Sequence, residues 1–170
     1  MTRGDFRTIT PISDHYTKTF LVDSGTTTQL EAGEPSKADD AVTTNPWTGE
    51  IGVMVDADGT TSQRFTGIAK SDSSETSADA GVCTTYMPLP GVIYSGKAKT
   101  ATLADTQAEV DALRGKSVLF DLTGAVWTID TNATDAQANC VVIVDGDFNK
   151  SEIHWTYKYS GTWLGHSISA

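Results

Sequence analysis

The feature that most constrains this chain is its strict two-residue alternation near the C-terminus. Ile153, Trp155, Tyr157 and Tyr159 alternate with His154, Thr156, Lys158 and Ser160. Successive side chains of a strand point to opposite faces, so this segment reads as a half-buried β-strand, with Trp155 inward and His154 outward, or the whole set reversed. The same period marks Val118, Phe120 and Leu122 before Thr123-Gly124, with Ala125 to Asp130 as the return of a hairpin. It also marks Ile51, Val53 and Val55 before the turn Asp56-Ala-Asp-Gly59, with Gln63 to Lys70 as the expected partner. Cys140 to Val144 is a continuous apolar run and predicts a strand buried on both faces. Further strands are expected near Val82 to Tyr86 and from Val92.

One helix stands against these strands. Leu103, Val110 and Leu113 share a face over Thr102 to Leu113, and Thr106-Gln-Ala-Glu109 has the form of a capping box, although Thr102 or Asp105 could serve as the cap. The helix should end at Gly115. The chain therefore reads as mainly β, an antiparallel β-barrel or sandwich with one short α-helix near residues 102–114. At 170 residues it supports one core, expected over residues 21–170.

Residues 1–20 follow no clean period. Phe6, Ile9, Ile12, Tyr16 and Phe20 are scattered among Thr, Ser and Arg, which predicts an extended N-terminal arm. The arm carries three cations against two anions, while the chain as a whole carries −10. Residues 23–45 read as loop with short irregular strands, and Ser71 to Asp79 as an exposed, mobile polar loop.

The charge of −10 disfavours nucleic acid, because each neutralised phosphate needs a clustered Lys or Arg, and the same sign disfavours an anionic membrane surface. No stretch approaches the roughly 18 apolar residues of a membrane span. Met1 to Arg7 lacks the apolar region of a secretory signal, so synthesis in a cytosol is expected, with Cys83 and Cys140 as free, strand-interior thiols.

Chemistry is sparsely marked. His15, His154 and His166 lie far apart, no His or Cys pair has metal-site spacing, and neither a phosphate-binding Gly loop nor a Gly-x-Ser-x-Gly elbow occurs. Asp145, Asp147 and Asn149 match the first positions of a Ca²⁺ loop. Lys150 stands where that loop needs Gly and Thr156 where it needs Glu, so a plain Asp/Gly turn is the expectation, as it is for Asp56 to Gly59. Arg3-Gly-Asp5 and the sequons at Asn132 and Asn149 read as chance matches. No catalytic residue, cofactor or metal is expected. Trp47, Trp127, Trp155 and Trp163 are generous for so lean a chain. Trp163 with Leu164, in Gly161-Thr-Trp-Leu-Gly165, is the candidate for a subunit interface.

Leu89-Pro-Gly-Val-Ile-Tyr-Ser-Gly-Lys-Ala-Lys99, the helix, and Leu113-Arg-Gly-Lys-Ser-Val-Leu-Phe-Asp-Leu-Thr-Gly-Ala-Val-Trp-Thr-Ile-Asp130 follow one another in an order that resembles head decoration (cement) proteins of tailed bacteriophages. Val141-Val-Ile-Val-Asp-Gly-Asp147 and Gly161-Thr-Trp-Leu-Gly165 are similar to the final strands of such proteins. The resemblance covers about half the chain. It implies a β-tulip-like body on the outer surface of a virion capsid, commonly a homotrimer, made in the host cytoplasm and bound to the major capsid protein through a terminal arm. Arg3, Phe6, Arg7, Ile9, Ile12 and Tyr16 would then be the capsid-binding residues. The polar stretches 23–45 and 71–79 depart from that pattern. Two other readings compete: a phage tail, baseplate or head-fibre component that binds glycans, and a small hydrolase with a spatially assembled site.

Overall fold

The structure is a computed structural model that describes residues 6–9, 16–22, 29–38, 51–53, 65–76, 78–89, 91–123, 126–134 and 141–157. Among the described residues eleven strands form two antiparallel sheets, so the chain is mainly β, as the alternation predicts.

The first sheet contains β1 (Arg7–Thr8), β7 (Tyr94–Lys97), β8 (Ser117–Thr123), β9 (Val126–Asp130), β10 (Val141–Asp147) and β11 (Glu152–Tyr157), in the order β1-β7-β11-β10-β8-β9. It curls back on itself. Ala98 forms a parallel bridge to Ile129, and the Lys99 N–H donates to the Ile129 carbonyl at 2.8 Å, so β9 returns to the end of β7. Across this seam Lys99 Nζ lies 2.7 Å from Asp121 and 3.4 Å from Asp130. Those carboxylates raise the lysine pKa, the Asp121 hydrogen bond most strongly. The expected hairpin is present, with Leu122 opposite Trp127. Trp155 is buried and His154 lies on the outer face, which decides the orientation that the alternation left open.

The second sheet contains β2 (Thr17–Val22), β3 (Pro35–Ala38), β4 (Ile51–Val53), β5 (Phe65–Ala69) and β6 (Gly81–Tyr86), in the order β2-β6-β5-β3-β4. Here the expected pairing of β4 with residues 63–70 is wrong, because β3 inserts between β4 and β5. That strand has no apolar alternation to announce it. Its buried Ser36 hydroxyl is satisfied by Thr66 Oγ1 at 2.8 Å and the Gly67 carbonyl at 3.0 Å. Phe65 and Ile68 join the barrel core, whereas Phe20, Val22, Leu30, Ile51, Ala69 and Cys83 form a second, smaller core. Trp127 Nε1 donates to the fully buried Glu34 at 3.2 Å and ties the barrel to the segment that leads into β3.

Helix α1 (Gln107–Leu113) is capped by Thr106 through the expected box: Thr106 Oγ1 accepts from the Glu109 N–H and Glu109 accepts from the Thr106 N–H. Val110 and Leu113 are its buried face, and Gly115 leaves it in the left-handed region at φ 81°.

Three further expectations are corrected. β10 is not buried on both faces: Val141 and Ile143 are buried while Val142 and Val144 are half-buried, because a curled sheet covers only its concave side. Asp145 and Asp147 lie inside β10, and the turn falls at Phe148 to Lys150, closed by Ser151 at φ 47°. Residues 71–76 are only partly the exposed loop expected: Ser71, Asp72, Ser74 and Thr76 are exposed, but the segment is tied down. Ser73 and Glu75 are buried, the Ser73 N–H donates to the Leu30 carbonyl, and Ser73 Oγ donates to Glu75 at 2.7 Å. Composition shows polarity but not where the partners of polar groups lie.

The N-terminal stretch is likewise part of the body wherever it is described. Phe6 is 4% exposed, its ring centroid is 5.2 Å from that of Phe120 and 5.3 Å from that of Trp155, and β1 pairs with β7. Phe6 is therefore a core residue rather than a free docking side chain. A two-residue strand is too short to carry a period, so the sequence resembled an arm. Gly96 makes room for it: a Cβ at that position would collide with the Phe6 ring. Phe6→Ala should cost about 3–5 kcal/mol and Gly96→Val about 1–3 kcal/mol in urea denaturation. Unchanged midpoints would mean that Phe6 does not occupy the core.

Candidate functional site

On the curled sheet the inward residues make the core, so the outward ones decide what the barrel offers to solvent. Register places them in two rows. Arg7 of β1, Ser95 of β7, His154 of β11 and Asp145 of β10 form one, and Lys97, Glu152 and Asp147 form the other. The β10–β11 turn adds Lys150, and the residue after α1 adds Arg114.

Most of these charges are paired. Arg7 Nη2 lies 2.6 Å from Glu152 Oε2, and Arg7 Nε donates to Ser95 Oγ at 3.0 Å. Arg114 bridges Asp111 and Asp145 at 2.7 Å each, and Lys150 holds Asp147 at 2.9 Å. His154 Nε2 is 3.7 Å from Glu152 Oε1. Burial pushes the Glu152 carboxyl up, but the hydrogen bonds from Arg7 and Ser95 and the nearby positive charge outweigh it and hold the group below the usual carboxylate range. The Arg114 guanidinium lowers Asp145, and the Lys150 ammonium lowers Asp147. Both carboxylates of the Ca²⁺-like sequence thus already carry a protein cation. Among the described residues no group of three His, Cys, Asp or Glu side chains could hold a metal ion.

Between β1, β7 and the β10–β11 turn lies a cleft of about 300 Å³, lined by Arg7, Ser95, Gly96, Lys97, Lys150 and Glu152. This arrangement suits ionic recognition. On the second sheet one small patch is apolar: Leu21 and Val82 are a directly opposed pair on β2 and β6, 50% and 44% exposed. Thr19 and Thr84, bonded to each other at 2.9 Å, extend the same face. Ile9 and Tyr16 are also exposed, and both lie against the 87–93 segment: the Ile9 N–H donates to the Ile93 carbonyl, and the Met87 N–H to that of Tyr16.

Of the residues expected to bind a partner, Arg7 belongs to the charged face, Ile9 and Tyr16 are exposed, and Phe6 is in the core. Arg3, Ile12, Trp163 and Leu164 lie outside the described residues, as do Trp47, Cys140, His15 and His166. Ser95, Lys97, Lys150 and Glu152 were missed. The outward phase of the terminal strand pointed to His154 and its neighbours, but only the register of β7 against β11 brings Lys97 and Ser95 beside them.

Cys83 is buried, and its thiol pKa is pushed up from 9.0 to about 12 by burial first and then by the charges of Glu75, Asp72 and Glu34. A raised thiol pKa favours the neutral form, so its contribution to stability is present below pH 9.0 and is lost as the pH climbs toward about 12. In a Cys140→Ser chain, Cys83 should resist iodoacetamide at about pH 8 and react only once urea unfolds the protein. Labelling at the rate of a free thiol would show that Cys83 is accessible. For Glu152 the sign is opposite, since its pKa is lowered: the Arg7 pair stabilises at neutral pH and fades as the pH falls through the ordinary carboxylate range near about 4. Arg7 is largely exposed, so Arg7→Gln should cost at most about 1 kcal/mol at neutral pH. The urea midpoints of the two chains should draw together as the pH falls below the ordinary carboxylate range and through the lowered Glu152 pKa; a constant gap would assign the effect to packing instead.

Compared with protein-family models, with curated proteins and with solved structures, the chain finds no match.

Proposed function

We propose that this chain is a non-enzymatic structural protein of a tailed-phage head, a decoration protein that sits on the outer capsid surface and holds neighbouring major capsid protein subunits together. The observation that carries the reading is the set of large apolar side chains held in solvent by the N-terminal strands and β6: Ile9, Tyr16, Leu21 and Val82. Leu21 and Val82 face outward from a regular two-strand ladder that also supplies Phe20 and Cys83 to the second core, so the ladder fixes their exposure. A row of this kind gains stability when a partner covers it. The strand-and-turn order of residues 89–130 that resembles decoration proteins lies within the barrel that carries β1.

In this reading residues 6–9 and 16–22 belong to the body and present the contact surface, instead of leaving it as an arm. Several copies around a symmetry axis, three in a homotrimer, would add weak contacts into firm attachment. Cosedimentation with undecorated capsids should saturate at a fixed copy number per capsid subunit. A Leu21→Asp, Val82→Asp double variant should lower that affinity by about tenfold or more, because full burial of each side chain is worth roughly 1.5–3 kcal/mol and about half of each is already covered. Failure of the intact chain to bind any capsid would overturn the assignment and favour a tail or fibre component.

A further inference from the structure

The cleft on the outer face of the barrel is cationic in a chain whose net charge is −10. Arg7, Lys97 and Lys150 line it, three of the chain's 12 Lys and Arg residues. Among the described residues the anions beside it are Glu152, bound to Arg7 at 2.6 Å, and Asp147, bound to Lys150 at 2.9 Å.

Lys97 is the residue left over. In the ladder it stands directly opposite Glu152, where a cross-strand ion pair would ordinarily form. The Glu152 carboxylate instead turns to Arg7 on one side and His154 on the other. Lys97 Nζ is directed to the Lys150 carbonyl at 2.7 Å, which accepts a hydrogen bond but brings no negative charge. That bond ties Lys97 to the backbone of Lys150, the other lysine of the cleft. The Ser95 and Glu152 contacts fix the Arg7 guanidinium on two sides. Gly96 lines the cleft with backbone alone, since a side chain there would point inward at Phe6. The result is a concave site with an excess of positive charge and preset donors. A carboxylate entering it would complete the charge balance without displacing an existing pair.

We propose that this cleft is a carboxylate-binding site, with Lys97 as the principal counter-charge and Lys150 and Arg7 as flanking donors. The proposal is independent of the capsid assignment. A carboxylate could come from an acidic segment of a protein or from a free polycarboxylate, and the two sources share the recognition chemistry.

The test uses the full chain, ¹⁵N-labelled, titrated separately with citrate and with a capped hexaglutamate peptide, with chloride at matched ionic strength as the control. Saturable amide shifts confined to residues 95–97 and 150–152 are expected with at least one carboxylate probe and not with chloride. Lys97→Gln should weaken binding about tenfold or more, the scale of one charge-assisted contact. Lys97→Arg should restore most of it, and Arg114→Gln, further along the same face, should leave it unchanged. Tighter binding of the peptide would identify a protein segment as the source, and equal or tighter binding of citrate a free ligand. The proposal is overturned if neither probe gives saturable shifts, or if Lys97→Gln binds with unchanged affinity. Because the titration contains no capsid, loss of this site and loss of the decoration function are read separately.

Discussion

The structure depends on an aromatic cluster assembled from distant parts of the chain. Trp155 stacks on Tyr94 at 4.8 Å and meets Phe120, Tyr157 and Phe6 edge-on at 5.0–5.3 Å. Phe65, from the other sheet, reaches Tyr157 at 4.3 Å and Phe120 at 5.5 Å. Such rings each bury a large area and gain further from edge and offset geometry, so one cluster joins the barrel, the N-terminal segment and the second sheet. Trp155 Nε1 finds no hydrogen-bond partner among the described groups, a cost of about 1–3 kcal/mol that the packing around it outweighs.

Around that cluster the lean chain uses polar stitches where a richer sequence would use Leu or Val. Glu34 with Trp127, Ser36 with Thr66, Ser73 with Leu30 and Glu75, and Lys99 with Asp121 each bridge separate elements. Satisfied groups of this kind specify register more sharply than apolar contacts, because a shift by one residue would leave a buried donor or acceptor unmet. They also explain how only 38% hydrophobic residues support two cores.

The two outward surfaces differ in physical kind. The barrel presents charges arranged by register, with a cationic cleft at the β1 edge, whereas β2 and β6 present Leu21, Val82 and threonines. The first favours orientation and steering, the second adhesion. A binding protein that must seat in one orientation can use both.

Strand identity was legible wherever a two-residue period ran long enough. β8, β9 and β11 could be read directly, and the Thr106 box, whose partner lies three residues away, stood among the cap candidates, whereas the inward side of Trp155 was left open. β3 was hidden because its buried side chain is a serine, the burial of Glu75 because polarity reads as exposure, and the place of Phe6 because its strand has two residues. Of the candidate surface, Arg7, Ile9 and Tyr16 were visible as residues, but the cleft was not. The sequence by itself determined which of the regularly alternating segments become strands and that each has one apolar face, since those follow from near-neighbour spacing. Only the tertiary structure decided that β3 separates β4 from β5, that β9 returns to β7, and that Lys97 faces a glutamate already taken by Arg7. Those outcomes depend on pairings across as many as 145 residues, whose energies no local pattern records.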